Sequence, residues 1–346
     1  MAIQVVEHGN RMNDPSAITE IDPASWQVKL LPLPKRYSRG VVTGFCNGYA
    51  AGVVESTRAR ISACWWPDGL PELLSLKDCK DPTAGSANGT IIPGHWRKGS
   101  EGAMRAVMWR LTEGQLSGCE LHDETYDQTW TTAAGGGVVV GVGVPTGKMG
   151  SKSHDVGLVW NGAEAPTVLS ASGDVLLLVT DGTRVAGSIG GRAALWSNST
   201  AQPINLATDQ MPASEVRVLD AEIQAGTAFK RFCARAVLWR GSVESFCDIT
   251  PSGYQTGRIY GGTRGYQVGF VREKDTTKNG STGIDNRAML WHSAADKCFD
   301  LNSLLPSNSY NASIAHSIEI TGSKVQIGGQ VSRYEVTDAG TACLNR

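Results

Sequence analysis

Short apolar runs alternate with polar turns along the whole length of the 346-residue chain. The runs are rich in Val, Ile and Ala, and most contain a glycine: Ala50–Val54, Val138–Gly141, Val185–Ile189 and Val268–Val271. Short β-rich runs bounded by turn residues favour antiparallel strands. No segment sustains an apolar period of 3.6 residues, so the pattern predicts little helix.

A five-residue pattern, Arg-Ala-x-Φ-Trp with Φ apolar, follows several of these runs. Four copies begin at Arg105, Arg192, Arg235 and Arg287, and two looser copies begin at Ile61 and Val156. The six tryptophans that end the copies lie 36 to 52 residues apart, with a mean near 45. Four-stranded blades in known repeat families have this length, so the repeat predicts a β-propeller.

Six repeats occupy residues 40 to 305, and both ends of the chain supply further strands. These are Trp26–Leu31 at the N-terminal end and Ile318–Ile320, Val325–Val331 and Ala342–Leu344 at the C-terminal end. We expect them to form a seventh blade, because closing the ring removes exposed sheet edges. A six-bladed ring is the alternative if Trp26 belongs to a separate arm. The sequence thus predicts an all-β, single β-propeller domain over residues 1–346, with 1–20 as a loosely ordered N-terminal arm.

The Arg-Ala-x-Leu-Trp pattern, with an Asp-Leu-like strand after it, resembles the bacterial extracellular repeats that are named for their His-Ala-Phe signature. The resemblance covers most of residues 40–305, with Arg in place of the usual His and a variable Phe position. It implies a propeller-like fold and an exported protein, and it brings no catalytic residues. We therefore expect a periplasmic or extracellular location, or a cytoplasmic one if no signal peptide was removed.

Charge and composition narrow the class of partner. The chain has 32 Lys and Arg against 33 Asp and Glu, a formal net charge of −1, which argues against nucleic acid as a partner. The sequence contains no run of eighteen apolar residues, so no transmembrane segment is predicted. Eight cysteines lack the CxxC and CxxH spacings of zinc sites, so no metal or cofactor is assigned. They either form disulfides or act as small buried hydrophobes.

The segment from Glu120 to Trp130 departs most from the repeat. Its chemistry-bearing residues are Glu120, His122, Asp123, Glu124, Tyr126, Asp127 and Trp130. Carboxylates in a turn can supply oxygen ligands to a cation, but the spacing matches no calcium loop. The segment is interpreted either as a binding site for a polar ligand or partner, or as a solvated loop.

The insertion from Arg272 to Asn286 is the second candidate. It is the longest segment between a glycine-containing run and its Arg-Ala-x-Φ-Trp copy, and it includes Arg272 and Lys274. Its polar composition is typical of a partner-contacting loop or of a disordered one.

Catalytic motifs are not found in the sequence. No histidine belongs to an HExxH motif and no Gly-x-Ser-x-Gly elbow occurs, so no catalytic residue is assigned. The repeated tryptophans are interpreted as core between blades, and the repeated arginines as partners of aromatics or of the acids downstream. The sequence favours a non-enzymatic binding propeller that engages a protein partner through variable rim loops, one form of which is a toxin-neutralising immunity protein. A lectin-like carbohydrate-binding propeller and a hydrolase or lyase with an acidic site at the central channel are the alternatives.

Overall fold

The computed structural model describes residues 1–8, 26–65, 71–76, 80–97, 102–147, 154–169, 171–231, 233–273, 286–306, 310, 312–322, 324–332, 334–336 and 342–344. In these residues the chain forms thirty β-strands and the short 3-10 turns Val243–Ser245 and Leu301–Leu304, with no α-helix. None of the described helical elements is long and apolar enough to cross a membrane.

Most strands follow one another in antiparallel groups of four. The chain begins with β1 (Ala2–His8) and β2 (Trp26–Leu30). Blade one is β3 (Arg39–Cys46), β4 (Tyr49–Glu55), β5 (Arg60–Trp65) and β6 (Glu72–Leu73). Blade two is β7 (Lys80–Ala84), β8 (Ile91–Arg97), β9 (Met104–Thr112) and β10 (Gln115–Glu120). Blade three is β11 (Tyr126–Gly135), β12 (Val138–Pro145), β13 (Val156–Asn161) and β14 (Thr167–Leu169).

The next blades repeat this order. Blade four is β15 (Val175–Thr180), β16 (Val185–Ile189), β17 (Arg192–Trp196) and β18 (Ile204–Asn205). Blade five is β19 (Ala213–Asp220), β20 (Ile223–Lys230), β21 (Cys233–Trp239) and β22 (Cys247–Asp248). Blade six is β23 (Tyr254–Thr263), β24 (Tyr266–Glu273), β25 (Asn286–His292) and β26 (Cys298–Asp300). The first strand of each blade lies innermost, and together with blade seven the sheets make the predicted seven-bladed propeller.

Blade seven joins the two ends of the chain. It consists of β27 (Ala312–Thr321), β28 (Lys324–Ser332), β1 and β2, in that order outward. Val5 pairs with Ile327 on one side and with Val28 on the other, and the Met1 amino group donates to the Val331 carbonyl at 2.8 Å. The prediction that both termini share a blade is confirmed.

Two details of that prediction were wrong. Residues 2–8, which the sequence assigned to a loosely ordered arm, form the third strand of blade seven; residues 9–20 lie outside the described residues. Ala342–Leu344, taken for a strand of the same blade, is β30 and pairs with β29 (Tyr334–Val336) in a separate two-stranded sheet. The run 2–8 was missed because its place in the blade depends on pairing with β28, at the other end of the chain.

The repeated tryptophans form the core between blades, as predicted. All six are at most 3% exposed: Trp65, Trp109, Trp160, Trp196, Trp239 and Trp291. Trp239, for example, belongs to a cluster that contains Leu195 of blade four and Val216 of blade five. Large rings on the third strand therefore fill the space between neighbouring blades, where small alanines leave room for them.

In blades one to three the indole N–H group of the repeated tryptophan also ties the blade to the segment that leads into it. Trp65 Nε1 donates to the Pro32 carbonyl at 2.8 Å, and Trp160 Nε1 donates to the Leu121 carbonyl at 3.2 Å. These carbonyls lie on the connections between successive blades, so one side chain both packs the core and positions the connection.

The repeated arginines meet acids on the short outer strands. Arg235 Nε lies 2.7 Å from Asp248 Oδ2, and Arg287 pairs with Asp300 in the equivalent place of blade six. The prediction of acidic partners downstream is confirmed for these two blades. Each pair joins the third strand to a fourth strand of only two or three residues.

The six cysteines whose pairing the structure describes are free: Cys46, Cys64, Cys119, Cys233, Cys247 and Cys298. Cys46 and Cys64 are fully buried in the cluster between blades one and two. Burial raises the pKa of both thiols to about 12, so these two residues act as small hydrophobes.

A β-bulge recurs on the innermost strand of six blades. The pairing of the first two strands shifts by one residue at Thr43, Thr132, Leu178, Arg217, Tyr260 and His316. A glycine of the second strand lies opposite each bulge: Gly52, Gly141, Gly187, Gly226, Gly269 and Gly329. A Cβ at any of these glycines would lie less than 3.0 Å from a carbonyl oxygen of the bulged strand. The glycines that punctuate the sequence repeat are thus required by the bulges.

Replacing Trp239 by alanine is expected to lower the free energy of unfolding by about 3–5 kcal/mol, because it leaves a large cavity between blades four and five. Trp130→Ala is the control, since this ring is only half-buried, and it should cost less. Thermal and denaturant melts measure both. Equal losses would contradict the core role of the repeated tryptophan.

Gly226→Ala is expected to lower the free energy of unfolding by about 1–3 kcal/mol, because the new methyl group overlaps the Glu215 carbonyl. Gly173→Ala is the matched control, since the nearest atom to its new Cβ is 3.3 Å away. If denaturant melts showed the two substitutions to be equally mild, the steric role of the bulge would be wrong.

Removing residues 1–31 is expected to promote aggregation and lower the melting temperature, since it strips β1 and β2 from blade seven and exposes the edge of β28. A truncation after Ser332 is the control, because it removes only chain outside the blade. Light scattering and a thermal melt distinguish the two. A monomeric N-terminal truncation with an unchanged melt would show that closure does not depend on these strands.

Candidate functional site

A cavity of about 650 Å³ occupies the centre of the ring. The innermost strands of all seven blades contribute to its wall, from the level of the bulges to the ends of these strands. Its volume lies within the range of small-molecule and peptide pockets in proteins. The cavity is therefore the concave surface on which a binding site can be built.

The six bulged residues all line this cavity. A bulge places one additional residue in the strand and changes the direction of a side chain. Glycine lies opposite the bulge in all six of these blades, whereas the bulged residues are Thr, Thr, Leu, Arg, Tyr and His in chain order. The scaffold is thus repetitive and the chemistry of its inner wall is not.

Two of these residues connect neighbouring blades. Thr43 Oγ1 donates to the Gly85 carbonyl at 2.8 Å, and Thr132 Oγ1 donates to the Leu177 carbonyl at 2.6 Å. Each bond runs from one blade to the next around the ring. On this side of the cavity the bulged residues stabilise the wall.

Blades five to seven carry a different set of side chains. The Arg217 guanidinium carbon lies 5.5 Å from the centroid of the Tyr260 ring, and that centroid lies 4.9 Å from the centroid of the His316 ring. Arg217 Nε also donates to Glu215 Oε1 at 2.7 Å. A cation and two aromatic rings therefore lie in a row along one sector of the wall.

Two histidines in the cavity wall have a buried ring nitrogen without a hydrogen-bond partner among the described residues. These atoms are Nδ1 of His95 and Nε2 of His316. Burial, reinforced by the charge of Arg217, lowers the pKa of His316 to about 4. Burial also lowers the pKa of His95 to about 4, and Arg60 and Arg97 add to the effect. Both rings are neutral at pH 7 and can accept or donate one hydrogen bond.

The acids of the cavity wall are already engaged. Asp181 Oδ2 accepts from Arg184 Nε at 2.7 Å; burial opposes a low pKa at Asp181, but hydrogen bonds from Arg184 and Thr183 lower it overall. Burial raises the pKa of Glu319, whose Oε2 accepts from Gln326 Nε2 at 3.1 Å. Among the described residues, no group of three or more His, Cys, Asp or Glu side chains is arranged to hold a metal ion.

The cavity reaches one end of the propeller, where Gly89, Asp181 and Arg264 belong to its lining. We call this end the cavity end; it is formed by the turns that join the first and second strands, such as Asn47–Gly48, Gly136–Gly137 and Arg264–Gly265. Both residues of each of these turns have a positive φ, which is the geometry of the tightest hairpin turns. Such short connections do not extend across the opening.

The segments chosen from the sequence lie at the opposite end. Glu120–Tyr126 leads from β10 into the first strand of blade three, and Arg272 lies near the end of β24, where the second strand of blade six turns towards the third. The structure does not bring these two segments together, because two blades lie between them in either direction around the ring. Lys274 and residues 275–285 lie outside the described residues.

Within the first segment, internal contacts engage most of the predicted side chains. Arg105 NH1 contacts Glu120 Oε1 at 3.0 Å and Glu124 Oε1 at 3.2 Å. His122 Nδ1 lies 2.9 Å from Thr129 Oγ1, and Asp123 accepts from the Thr125 N–H at 2.8 Å.

The remaining predicted residues differ in position. Tyr126 and Asp127 are half-buried at the start of β11, and Trp130, on the same strand, lines the cavity. Arg272 Nε donates to Asn286 Oδ1 at 3.1 Å. Of the predicted site residues, Trp130 thus lies in the cavity wall. A binding role for all of these residues, Trp130 included, stays a prediction.

Sequence reasoning missed the bulged residues, although a signal was present. In blades one, three, four, five and six the bulged residue precedes the glycine opposite it by nine residues, as Arg217 precedes Gly226. In blade seven the interval is longer, from His316 to Gly329. Recognising the glycines as bulge partners would have located the cavity wall.

An NMR titration of the histidine rings is expected to show His95 and His316 unprotonated at pH 6, with midpoints near pH 4. The unfolded chain binds these protons near pH 6.5, so the free energy of unfolding should fall as the pH is lowered from 6.5 to 4. A His95→Gln/His316→Gln variant should lose less stability across this window. Midpoints near 6.5 for both rings would contradict their burial.

Comparison with known proteins identifies the fold and no family. No family model matches the chain, and no curated protein matches it. A structure from a study of two prolyl endopeptidases aligns at 11% identity with a TM-score of 0.53, over 89% of this chain and 49% of that one.

Two further solved structures have lower TM-scores. Pyrococcus horikoshii acylaminoacyl peptidase aligns at 10% identity and a TM-score of 0.49, over 82% of this chain and 46% of that one. The β-propeller domain of the Trilobed protease from Pyrococcus furiosus aligns at 9% identity and a TM-score of 0.42, over 79% and 97%. The chain spans about half the length of the two peptidases. At such identities the likeness concerns the propeller fold alone.

Proposed function

We propose that the chain is a non-enzymatic binding propeller that holds a protein partner at the cavity end. The partner inserts a side chain or a short segment into the cavity, and the surrounding turns contact the rest of its surface. This places the binding surface at the end opposite to the loops favoured by the sequence. An immunity protein would be one such binder; its bacterial origin and its export stay predictions from the sequence.

The observation that carries the proposal is the contrast between a repeated scaffold and a varied inner wall. Tryptophans and glycines recur in blade after blade, where packing and bulge geometry require them. The residues that the bulges place in the cavity wall differ in size, charge and polarity. If these positions served packing alone, the same repeat would be expected to hold similar residues there.

The residue types in the wall are those that anchor protein interfaces. Trp130, Arg217 and Tyr260 belong to the three types most enriched among residues that dominate binding energy, and all three line the cavity. A concave, partly desolvated location is where such anchors contribute most.

Two carboxylates at or beside the cavity wall are paired with arginines. Glu215 is paired with Arg217 and Asp181 with Arg184. A general acid or base must be within reach of the substrate proton with a pKa near the working pH. Hydrogen bonds from Arg184 and Thr183 lower the pKa of Asp181, so this carboxylate serves poorly as a general acid.

Filling the cavity is expected to abolish partner binding. Leu178→Trp adds a large ring to the wall from blade four without replacing Arg217, Tyr260 or His316. The partner is first identified by mass spectrometry as a protein that immobilised wild type retains from host lysate and the empty resin does not. Calorimetry with the purified partner should then give an affinity at least tenfold lower for the variant, about 1.4 kcal/mol.

Asp127→Ala/Arg272→Ala, at the opposite end, is the matched control and should keep wild-type affinity. All variants should melt near the wild-type temperature. If affinity fell for this control and not for Leu178→Trp, the rim loops would be the binding site and the proposal would be wrong.

A further inference from the structure

Blades five to seven together build one chemically distinct sector of the cavity wall. Each contributes its bulged residue, and the three side chains are in contact in the order Arg217, Tyr260, His316. The neighbouring bulged residue of blade four is Leu178. Cationic and polar ring groups are therefore concentrated on one side of the cavity.

Arg217 retains unused hydrogen-bonding capacity. A guanidinium has five N–H donors, and in the described residues only its Nε–H is engaged, with Glu215. Its two terminal amino groups are free of protein partners there, and the side chain is 30% exposed. A partly desolvated guanidinium that presents two amino groups matches the two oxygens of a carboxylate.

His316 provides a second polar group beside it. Nε2 of this ring is buried without a hydrogen-bond partner in the described part of the chain. A buried nitrogen in this state is unfavourable until something bonds to it. The ring is tilted against that of Tyr260, whose other neighbour is Arg217. The charge of Arg217 acts on the imidazole, so a charge bound at Arg217 changes the environment of His316 as well.

The surrounding charges favour a ligand with a single negative charge. Glu215 lies 2.7 Å from Arg217 and offsets part of its charge. Asp181 and Glu319 also line the cavity, against Arg264 as the further cation. A dianion such as phosphate would be repelled by these three carboxylates more strongly than a ligand with one carboxylate, which brings a single negative charge to Arg217.

We infer that the cavity binds a carboxylate group on the terminal amino groups of Arg217, next to Tyr260 and His316. The inference rests on the proposed function, because the protein partner would supply this carboxylate from an Asp or Glu side chain or from its C-terminus. Both sources present the same chemistry to Arg217. The bound segment would enter from the cavity end.

Small carboxylates test this inference without the partner. N-acetylglycine represents a chain terminus and N-acetylglutamic acid α-amide represents an acidic side chain; N-acetylglycinamide and N-acetylglutamine α-amide are their neutral counterparts. NMR of the histidine rings follows each titration, with the His316 signal assigned by its loss in His316→Gln. We expect saturable shifts of this signal with at least one carboxylate, and none with either amide.

The variants then locate the site. Arg217→Gln should weaken carboxylate binding at least tenfold. Arg217→Lys should weaken binding less, because lysine keeps the positive charge and lacks only the paired amino groups of the guanidinium. Arg258→Gln is the matched control. The Arg258 guanidinium carbon lies 5.1 Å from the centroid of the Phe229 ring, so this variant loses the same charge and the same kind of contact with an aromatic ring. It does not line the cavity and should bind within twofold of wild type.

Three results would overturn the inference: amides that bind as well as the acids, inorganic phosphate that binds more tightly than either acid, or unchanged binding in both Arg217 variants. Loss of the partner on Leu178→Trp, combined with no carboxylate binding to wild type, would also contradict it. In that case the proposed function would stand and only the carboxylate site would fall.

Discussion

The contact between a bulged inner strand and the glycine of the next strand determines which residues line the central cavity of this propeller. In a regular antiparallel pair a Cβ projects away from the sheet and meets no carbonyl of its partner strand. Here the bulge brings a carbonyl oxygen into the space that a Cβ at Gly187 or Gly226 would occupy. The bulge therefore restricts the second strand to glycine, and in return it adds one residue to the wall of the cavity.

This constraint separates the residues that build the ring from those that give it chemistry. The third-strand tryptophans fill the spaces between blades, and their positions are determined by packing. The glycines are determined by the bulges. The bulged residue itself is free to vary, and the chain uses that freedom to place Arg217, Tyr260 and His316 in one sector. Function is thereby located on positions that the repeat leaves unspecified.

The fold could be predicted from the sequence because the interactions that define it recur. The tryptophans reveal the blade length, and the arginine that begins four of the copies pairs with a downstream acid in blades two, five and six. The strand Ala2–His8 was missed because its place in blade seven depends on pairing with residues more than 300 positions away. No local pattern records such a partner.

The site was harder to predict because sequence analysis looked for departures from the repeat. Glu120–Trp130 is such a departure, but several of its polar side chains already form an ion pair or hydrogen bonds, with Arg105, Thr125 and Thr129. The cavity wall comes instead from single residues inside regular strands. A shift in strand pairing distinguishes them, and that shift is visible only in the three-dimensional structure. Their spacing to a glycine can be interpreted only after the bulge has been recognised.

A thermodynamic cycle in blade four tests the link between bulge and glycine most directly. Gly187→Ala, deletion of Leu178 and the combination of both are compared by denaturant unfolding. With the bulged residue gone, Leu177 and Val179 would pair regularly with Gly187 and Ala186, and the new methyl group would no longer meet the Leu176 carbonyl. The account predicts that Gly187→Ala is destabilising by about 1–3 kcal/mol in the full-length chain and nearly neutral after the deletion. Equal costs of Gly187→Ala in both backgrounds would contradict it.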